Sequence, residues 1–269
     1  MADKGQLHGL MADSKKRTNS SKQLYGLLGY PVAHSLSAVM HNAAFAALHI
    51  NAEYKLFSVT PQELPLFLSS LSERNIFGLN VTIPYKEEVL KFEALDTDSF
   101  YVQKIKAVNT IVRKQGKWKA FNTDAPGFLR DLKEHIDPTD KKVALLGAGG
   151  AAKAVAYTLA ESKARAIRVY DIDVNKGHEL VNTFKSVFAD FDIQFVESLD
   201  GLDIRNKDIL INATPVGMKA SDPCLVFEHM LHENLFVYDV IYNPPETKLL
   251  AHAKKAGART SNGVGMLLN

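Results

Sequence analysis

The stretch Val143-Ala-Leu-Leu-Gly147-Ala148-Gly149-Gly150-Ala151-Ala152 constrains this chain more than any other. An apolar run of strand character enters a glycine-rich turn, and a helical pattern follows to about Leu159. Gly147 permits the tight turn, and Gly149 lets backbone approach a pyrophosphate. The following helix offers free N–H groups and the positive end of its dipole. The spacing differs from the usual G-x-G-x-x-G/A only in carrying Gly150 and Ala152. By itself such a turn can also be small residues serving packing. Here Asp171 stands at the end of the next expected strand, 24 residues after Gly147. That is close to the spacing of the acid that holds the adenosine ribose in dinucleotide sites.

The rest of the chain alternates in the same manner. Leu24–Leu28, Tyr54–Val59 and Gly78–Ile83 read as strands, separated by helical patterns over Ser37–Leu48 and Pro61–Leu71. Helical pattern resumes at Lys86–Ala94 and Asp98–Ile105. Further strands are expected at Asn109–Val112 and Lys119–Asn122, around a Lys-Gln-Gly-Lys turn. After the glycine turn, Ile167–Tyr170, Ile193–Val196, Ile209–Asn212 and Phe236–Val240 continue as strands. Val174–Phe188 and Thr247–Lys255 fill the gaps as helices. Strand–helix alternation predicts mostly parallel sheets covered by helices, an α/β fold. Two α/β units joined near Asp124–Asp131 is the natural division, without internal repeats or low-complexity segments.

Composition narrows the functional classes. Lys and Arg total 32 against 30 Asp and Glu, so the net charge is +2 and there is no electrostatic footprint for nucleic acid or an anionic membrane. No apolar run reaches the ~18 residues of a membrane span. The most apolar stretch, Val143–Ala160, is broken by Lys153. The single cysteine, Cys224, excludes an intramolecular disulfide and a multi-cysteine zinc site, and it fits a reducing, cytoplasmic compartment. His229 and His232 lie i,i+3 without nearby further ligands, so no metal is expected. Residues 1–22 are polar and carry Lys15-Lys16-Arg17. They are expected to form a disordered leader, with Met11 as an alternative start.

Three clusters precede the glycine turn. In Gly29-Tyr-Pro31-Val-Ala-His34-Ser35-Leu-Ser37, followed by His41-Asn42, two hydroxyls at i and i+2 could both donate to one carboxylate. They could equally cap the helix starting at Ser37. In Asn80-Val-Thr82-Ile-Pro84-Tyr-Lys86, Pro84 is expected to place Lys86 just inside the next helix. Asn109-Thr110 and Asn122-Thr123-Asp124 lie near strand ends, where α/β folds gather their ligands.

Together with Asn212-Ala-Thr214-Pro-Val-Gly217-Met218, Asp239-Val-Ile-Tyr242-Asn-Pro and Asn262-Gly263-Val-Gly-Met266-Leu, these clusters closely resemble the shikimate/quinate dehydrogenase family, in the family's order from Leu24 to the last residue. The resemblance implies an N-terminal α/β substrate domain plus a Rossmann-type, doubly wound dinucleotide-binding domain. The expected bounds are 23–123 with 262–269 for the former and 124–261 for the latter. It assigns Ser35 and Ser37 to a substrate carboxylate, with the substrate-binding Tyr242 nearby, and Thr82, Asn109 and Asp124 to ring hydroxyls. Lys86 with Asp124 would be the catalytic pair. Gly147, Ala148, Gly149, Gly150, Ala151, Asp171, Val240 and Gly263 would line the cofactor.

The implied activity is interconversion of 3-dehydroshikimate and shikimate with a nicotinamide cofactor, by a monomer or homodimer. A quinate-preferring enzyme and a catalytically silent metabolite sensor are the alternatives. Both Lys86 and Asp124 are present, which a silent relative would not need. Ser37, rather than a bulkier Thr, leans towards shikimate.

Three departures from the family pattern stand out. Ala38 replaces the proline that usually follows the second serine. The sequence ends at Asn269, one position before a glutamine that normally contacts substrate, and without the closing helix. Asp171-Ile172-Asp173 replaces the common Asn-Arg-Thr, which predicts NAD in preference to NADP.

Overall fold

The computed structural model describes residues 22–269, so the leader expected over 1–22 lies outside the described residues save for Lys22. The N-terminal sheet contains β1 (Gln23–Gly29), β2 (Ala52–Ser58), β3 (Ile76–Val81), β4 (Leu95–Asp96), β5 (Thr110–Lys114) and β6 (Lys117–Phe121), in the order β2-β1-β3-β5-β6-β4. β1 runs parallel to β2 and β3, whereas β5 is antiparallel to both of its neighbours. The sheet is therefore mixed. The reversal between β5 and β6 is local, because Gln115 and Gly116 both take positive φ, at 52° and 79°. A two-residue turn of that kind matches the twist of a hairpin and returns the chain directly into β6.

The C-terminal sheet contains β7 (Lys142–Leu146), β8 (Ala166–Tyr170), β9 (Ile193–Phe195), β10 (Ile209–Asn212), β11 (Phe236–Asp239) and β12 (Arg259–Asn262). All its pairings are parallel, in the order β12-β11-β10-β7-β8-β9. This is the doubly wound arrangement of dinucleotide-binding folds, and its order reverses between β7 and β10. Both faces are covered. Val143 and Leu145 enter one core and Ala144 and Leu146 the other, all at 0–1% exposure. Strands buried on both faces read as unbroken apolar runs, which explains why β7 is so plain in the sequence. β12, Arg-Thr-Ser-Asn, has no such run and escapes the periodicity.

The helices are α1 (Ser37–Ala47), α2 (Leu64–Ser69), α3 (Phe100–Ile105), α4 (Asp124–His135), α5 (Gly150–Glu161), α6 (Val174–Val187), α7 (Lys248–Lys255) and α8 (Val264–Leu268). α4 occupies the junction between the two sheets. It sends Ala125, Phe128 and Leu132 into the core it shares with α5, β7 and, from the N-terminal half, Ile105 and Ala107. A helix anchored by those buried side chains is a fixed joint. It therefore fixes the direction of Asp124, its first residue. Among the described residues, no helix is long and apolar enough to cross a membrane.

Candidate active site

The carboxyl ends of β1 and β3 open side by side. Thr82 N–H donates to Leu28 O at 2.9 Å, and Tyr30 N–H donates to Ile83 O at 3.0 Å. The chain then turns over Thr82–Tyr85, closed by Tyr85 N–H on Thr82 O at 2.9 Å. Tyr85 is 1% exposed and its phenol donates to Val59 O at 2.5 Å, which pins the turn. Lys86 does not enter a helix, contrary to the expectation from Pro84. Its carbonyl accepts the Val108 N–H at 2.7 Å, a site that a helix would have reserved for the residue four further on. Only a short 3-10 turn forms, over Glu88–Lys91.

That geometry aims Lys86 at the start of α4. Lys86 Nζ donates to Asp124 Oδ2 at 2.6 Å, with the two side chains 15% and 13% exposed. The pair is sheltered yet reachable from solvent. Asp124 Oδ1 accepts from Asn109 Nδ2 at 2.9 Å, and Asn109 Oδ1 accepts the Thr123 N–H at 2.8 Å. Thr110 Oγ1 donates to Asn109 Oδ1 at 3.0 Å and accepts from Asn80 Nδ2 at 3.2 Å. The phenol of Tyr54, itself 4% exposed, donates to Asn80 Oδ1 at 2.8 Å. A chain of polar side chains thus runs from β2 to the Lys86–Asp124 pair. No buried side-chain nitrogen or oxygen lacks a partner among the described residues. Tyr54, Asn80 and Thr110 escape a reading of the sequence for site residues. Asn80 and Thr110 lie in quoted motifs, but Tyr54 carries no signal beyond a polar tip in an apolar strand.

The serines lie in the loop between β1 and α1. Ser35 Oγ donates to Ser37 Oγ at 3.1 Å and accepts the Ser37 N–H at 3.2 Å. The residue at the α1 cap position is Leu36, which offers no side-chain cap. Ser35 Oγ thus takes the first N–H of α1 while its own O–H remains a donor, and Ser37 Oγ bonds no N–H of that helix. His41 stacks on Tyr54 with ring centroids 4.3 Å apart, and Asn42 bonds the Tyr54 backbone at 2.9 and 3.0 Å. Burial pushes the Tyr54 phenol well above the ordinary tyrosine range, and the nearby Tyr242 phenol adds to the shift.

Beside the Lys86–Asp124 pair lies the glycine turn. Gly147 has φ 106° and its N–H donates to Tyr170 O at 2.7 Å. A Cβ there would be strained and would stand 3.0 Å from Ala213 O. A Cβ on Gly149 would meet nothing within 4 Å, so the space before the α5 N-terminus is open. Gly150 and Ala151 begin α5, where first-turn N–H groups have no partner within the helix. Asp171 follows β8. Its Oδ2 accepts the Ala148 N–H at 2.7 Å and its Oδ1 accepts the Asp173 N–H at 2.8 Å. The cap of α6 is Asp173, which accepts from the N–H groups of Asn175 and Lys176. The open cradle, the unpaired N–H groups and the fixed carboxylate suit a dinucleotide with its phosphates on α5 and a ribose at Asp171.

The Lys86 turn packs against the first turn of α5, since a Cβ on Gly150 would stand 2.8 Å from Lys86 Cβ, so the glycine turn and the Lys86–Asp124 pair adjoin. Residues 27–111 match the family model described as the shikimate dehydrogenase substrate binding domain. Shikimate dehydrogenase (NADP(+)) of Methanopyrus kandleri is 42% identical over 263 residues, covering 93% of this chain and 88% of that one. The crystal structure of shikimate dehydrogenase from Aquifex aeolicus superposes with a TM-score of 0.83 at 36% identity, covering 94% of this chain and 90% of that one. Shikimate 5-dehydrogenase from Listeria monocytogenes, in complex with shikimate and NAD, gives a TM-score of 0.79 at 34% identity, covering 94% and 91%.

The chain belongs to the shikimate/quinate dehydrogenase family. It is an NAD(P)-dependent oxidoreductase with the family's two-domain α/β fold. The family motifs of the C-terminal half now have physical roles. Asn212 Nδ2 donates to the fully buried Asp239 at 3.0 Å, and Thr214 Oγ1 donates to Asn212 Oδ1 at 2.7 Å. Asp239 also accepts from Thr247 Oγ1 at 2.7 Å and from the Ile241 N–H at 3.0 Å. This knot ties the ends of β10 and β11 together and fixes the segment that carries Val240 and Tyr242. Gly263 packs directly onto the Val240 carbonyl, where a Cβ would collide with it. Among the described residues no cluster of three or more His, Cys, Asp or Glu could hold a metal; His229 stacks on Phe227 and His232 contacts Lys207 O.

Proposed function

We propose that this dehydrogenase interconverts 3-dehydroshikimate and shikimate, with NAD as its preferred cofactor. The observation that carries the reading is the Lys86–Asp124 pair at 2.6 Å, set beside the glycine turn. When bound, the nicotinamide supplies or accepts the hydride at the ring carbon. The protein must hold the ring and manage the proton on its oxygen.

In the reducing direction the Lys86 ammonium donates its proton to the carbonyl oxygen as negative charge develops there. Asp124 aims that ammonium and balances its charge, and Asn109 holds the other carboxylate oxygen in place. In the oxidising direction Lys86 takes the proton back. Positioned acid–base catalysis of this kind contributes ~10²–10⁴-fold. Thr82, Asn109 and Asp124 receive the ring hydroxyls. Ser35 and Ser37 receive the carboxylate, with Tyr242 nearby, because each serine keeps an O–H free to turn towards it while Ser35 Oγ accepts the Ser37 N–H.

The NAD preference rests on the segment after β8 and departs from the NADP(+) in the names of the curated relatives. Asp171, held by two backbone N–H groups, accepts from ribose hydroxyls and repels a 2′-phosphate. Ile172 is 90% exposed where a phosphate clamp would need a cation. The Asp173 cap occupies the N–H groups of α6 and adds negative charge. A like-charge contact at ~4 Å costs about 4 kcal/mol at an effective dielectric near 20. Exposure and relaxation reduce that to about 1–3 kcal/mol, or roughly 5- to 150-fold in affinity.

The reading is tested by supplying shikimate and quinate in turn with NAD and with NADP and following nicotinamide reduction. Turnover of shikimate at the higher kcat/KM is expected. Quinate as the better substrate would shift the assignment to quinate, and no reduction of either NAD or NADP with either substrate would overturn the reading.

A further inference from the structure

Lys153 is 2% exposed within α5. A lysine is almost never so buried unless its charge is met. Its Nζ donates to Glu87 Oε2 at 2.5 Å and to Glu179 Oε1 at 2.9 Å. Burial alone would pull this ammonium down. The two carboxylates outweigh it and hold the group above the ordinary lysine value, so it is charged.

The partners come from different halves of the molecule. Glu179 lies in α6, which flanks the C-terminal sheet. Glu87 follows Lys86 in the turn after β3. The same two surfaces meet again at Gly150, where an added Cβ would stand 2.8 Å from Lys86 Cβ and 3.4 Å from Ala107 Cβ. The turn that presents Lys86 is thus seated on the first turn of α5, the helix whose N-terminus faces the cofactor cradle.

We propose that Lys153 and Glu87 are positioning residues for the reaction: their ion pair clamps the Lys86 turn onto α5 and so sets the distance between the proton-donating ammonium and the cofactor. The proposal rests on the role given to Lys86 above. Glu179 provides an internal control, because it binds the same ammonium from within the C-terminal half and makes no hydrogen bond to the Lys86 turn. Rate falls steeply with misplacement, and a shift of ~1 Å can cost ~10²-fold. A small slip of this turn should therefore register in turnover before it registers in binding.

The test compares Glu87→Gln, Glu87→Asp and Glu179→Gln, each alone and in the Lys86→Ala background. It reads kcat, KM for shikimate and cofactor, melting temperature, and the primary isotope effect with shikimate deuterated at the reacting carbon. Glu87→Gln is expected to lower kcat about tenfold, with both KM values within about twofold and a larger isotope effect as the hydride step becomes limiting. Glu87→Asp, which keeps the charge, should recover part of that loss. Glu179→Gln should stay within about twofold of the parent kcat. In the Lys86→Ala background Glu87→Gln should add no further loss, since it acts through Lys86.

A Glu87→Gln enzyme with parent-like kcat would overturn the clamp, as would equal losses from Glu87→Gln and Glu179→Gln, or full additivity with Lys86→Ala. If Lys86→Ala itself kept the parent kcat, the role of Lys86 and the clamp would fall together. Loss there with a parent-like Glu87→Gln would remove the clamp alone.

Discussion

The two walls of the site are built from different materials. On the N-terminal sheet the site is held by side chains, in a continuous run from Tyr54 through Asn80, Thr110 and Asn109 to Asp124 and Lys86. On the C-terminal sheet it is held by backbone: the Gly147 N–H on Tyr170 O, the Ala148 and Asp173 N–H groups on Asp171, and the bare first turn of α5. A side-chain network can be cut to the pattern of one ring's hydroxyls, but every member depends on its neighbours. A backbone cradle suits the phosphates common to all dinucleotides and leaves only the residues at its rim to discriminate between them. Substitutions on the first wall should therefore change chemistry with either cofactor, and those at the rim of the second should change cofactor choice.

The sharpest way to break this division is Lys86→Ala. It is expected to lower kcat by ~10²–10⁴-fold with little change in KM, and by the same factor with NAD and NADP. Steady-state kinetics with both cofactors checks it, and a variant keeping more than roughly a third of the parent kcat would remove Lys86 from the chemistry. The rim comes next. Asp171→Asn combined with Ile172→Arg should move the ratio of kcat/KM for NAD over NADP towards NADP by roughly 5- to 150-fold, with kcat in the better cofactor nearly unchanged. A loss of kcat with both cofactors would show that the rim also serves catalysis.

The smallest effect tests the frame behind both walls. Tyr238, on β11, donates at 2.5 Å to Asp131 of α4, a carboxylate that is 4% exposed. Tyr238→Phe should cost about 1–3 kcal/mol in urea unfolding, leaving cofactor preference untouched. Burial, reinforced by Asp131, pushes the Tyr238 phenol well above the ordinary range. Its folded value lies above the unfolded value near ~10, so its contribution is complete below that pH. Above it the unfolded chain alone gives up the proton, and stability falls. The parent should lose stability steeply on the alkaline side, and Tyr238→Phe should flatten that slope. Equal slopes would remove Tyr238 as the source.

The same contrast governs how much can be read from the sequence. The glycine turn, β7, β10 and β11 are legible because strands buried on both faces are continuous apolar runs and because backbone cradles demand glycine, whereas β8 is legible from the alternation of Ile167 and Val169. β12 is not, since Arg259–Asn262 joins the sheet through backbone pairing with β11 alone. On the N-terminal side the local signal misleads at Lys86. Pro84 favours a helix start, but the Val108 N–H captures the carbonyl that helix would use. Lys86 and Asp124 are 38 residues apart in sequence, and no periodicity joins them. Family resemblance supplies that pair, whereas Tyr54 and the Lys153–Glu87 clamp emerge only when the folded chain brings them together. The question of Ser35 and Ser37 likewise turns on geometry, because a cap and a ligand look alike in sequence.

The most direct test of the whole account is the oxidation of shikimate by the parent enzyme with NAD and NADP side by side, under identical conditions. The Lys86–Asp124 pair predicts shikimate-dependent reduction of both, and Asp171 predicts the higher kcat/KM with NAD, by at least about fivefold. Equal or better use of NADP would contradict the reading of the cofactor rim, and no shikimate-dependent reduction of either would contradict the reading of the site.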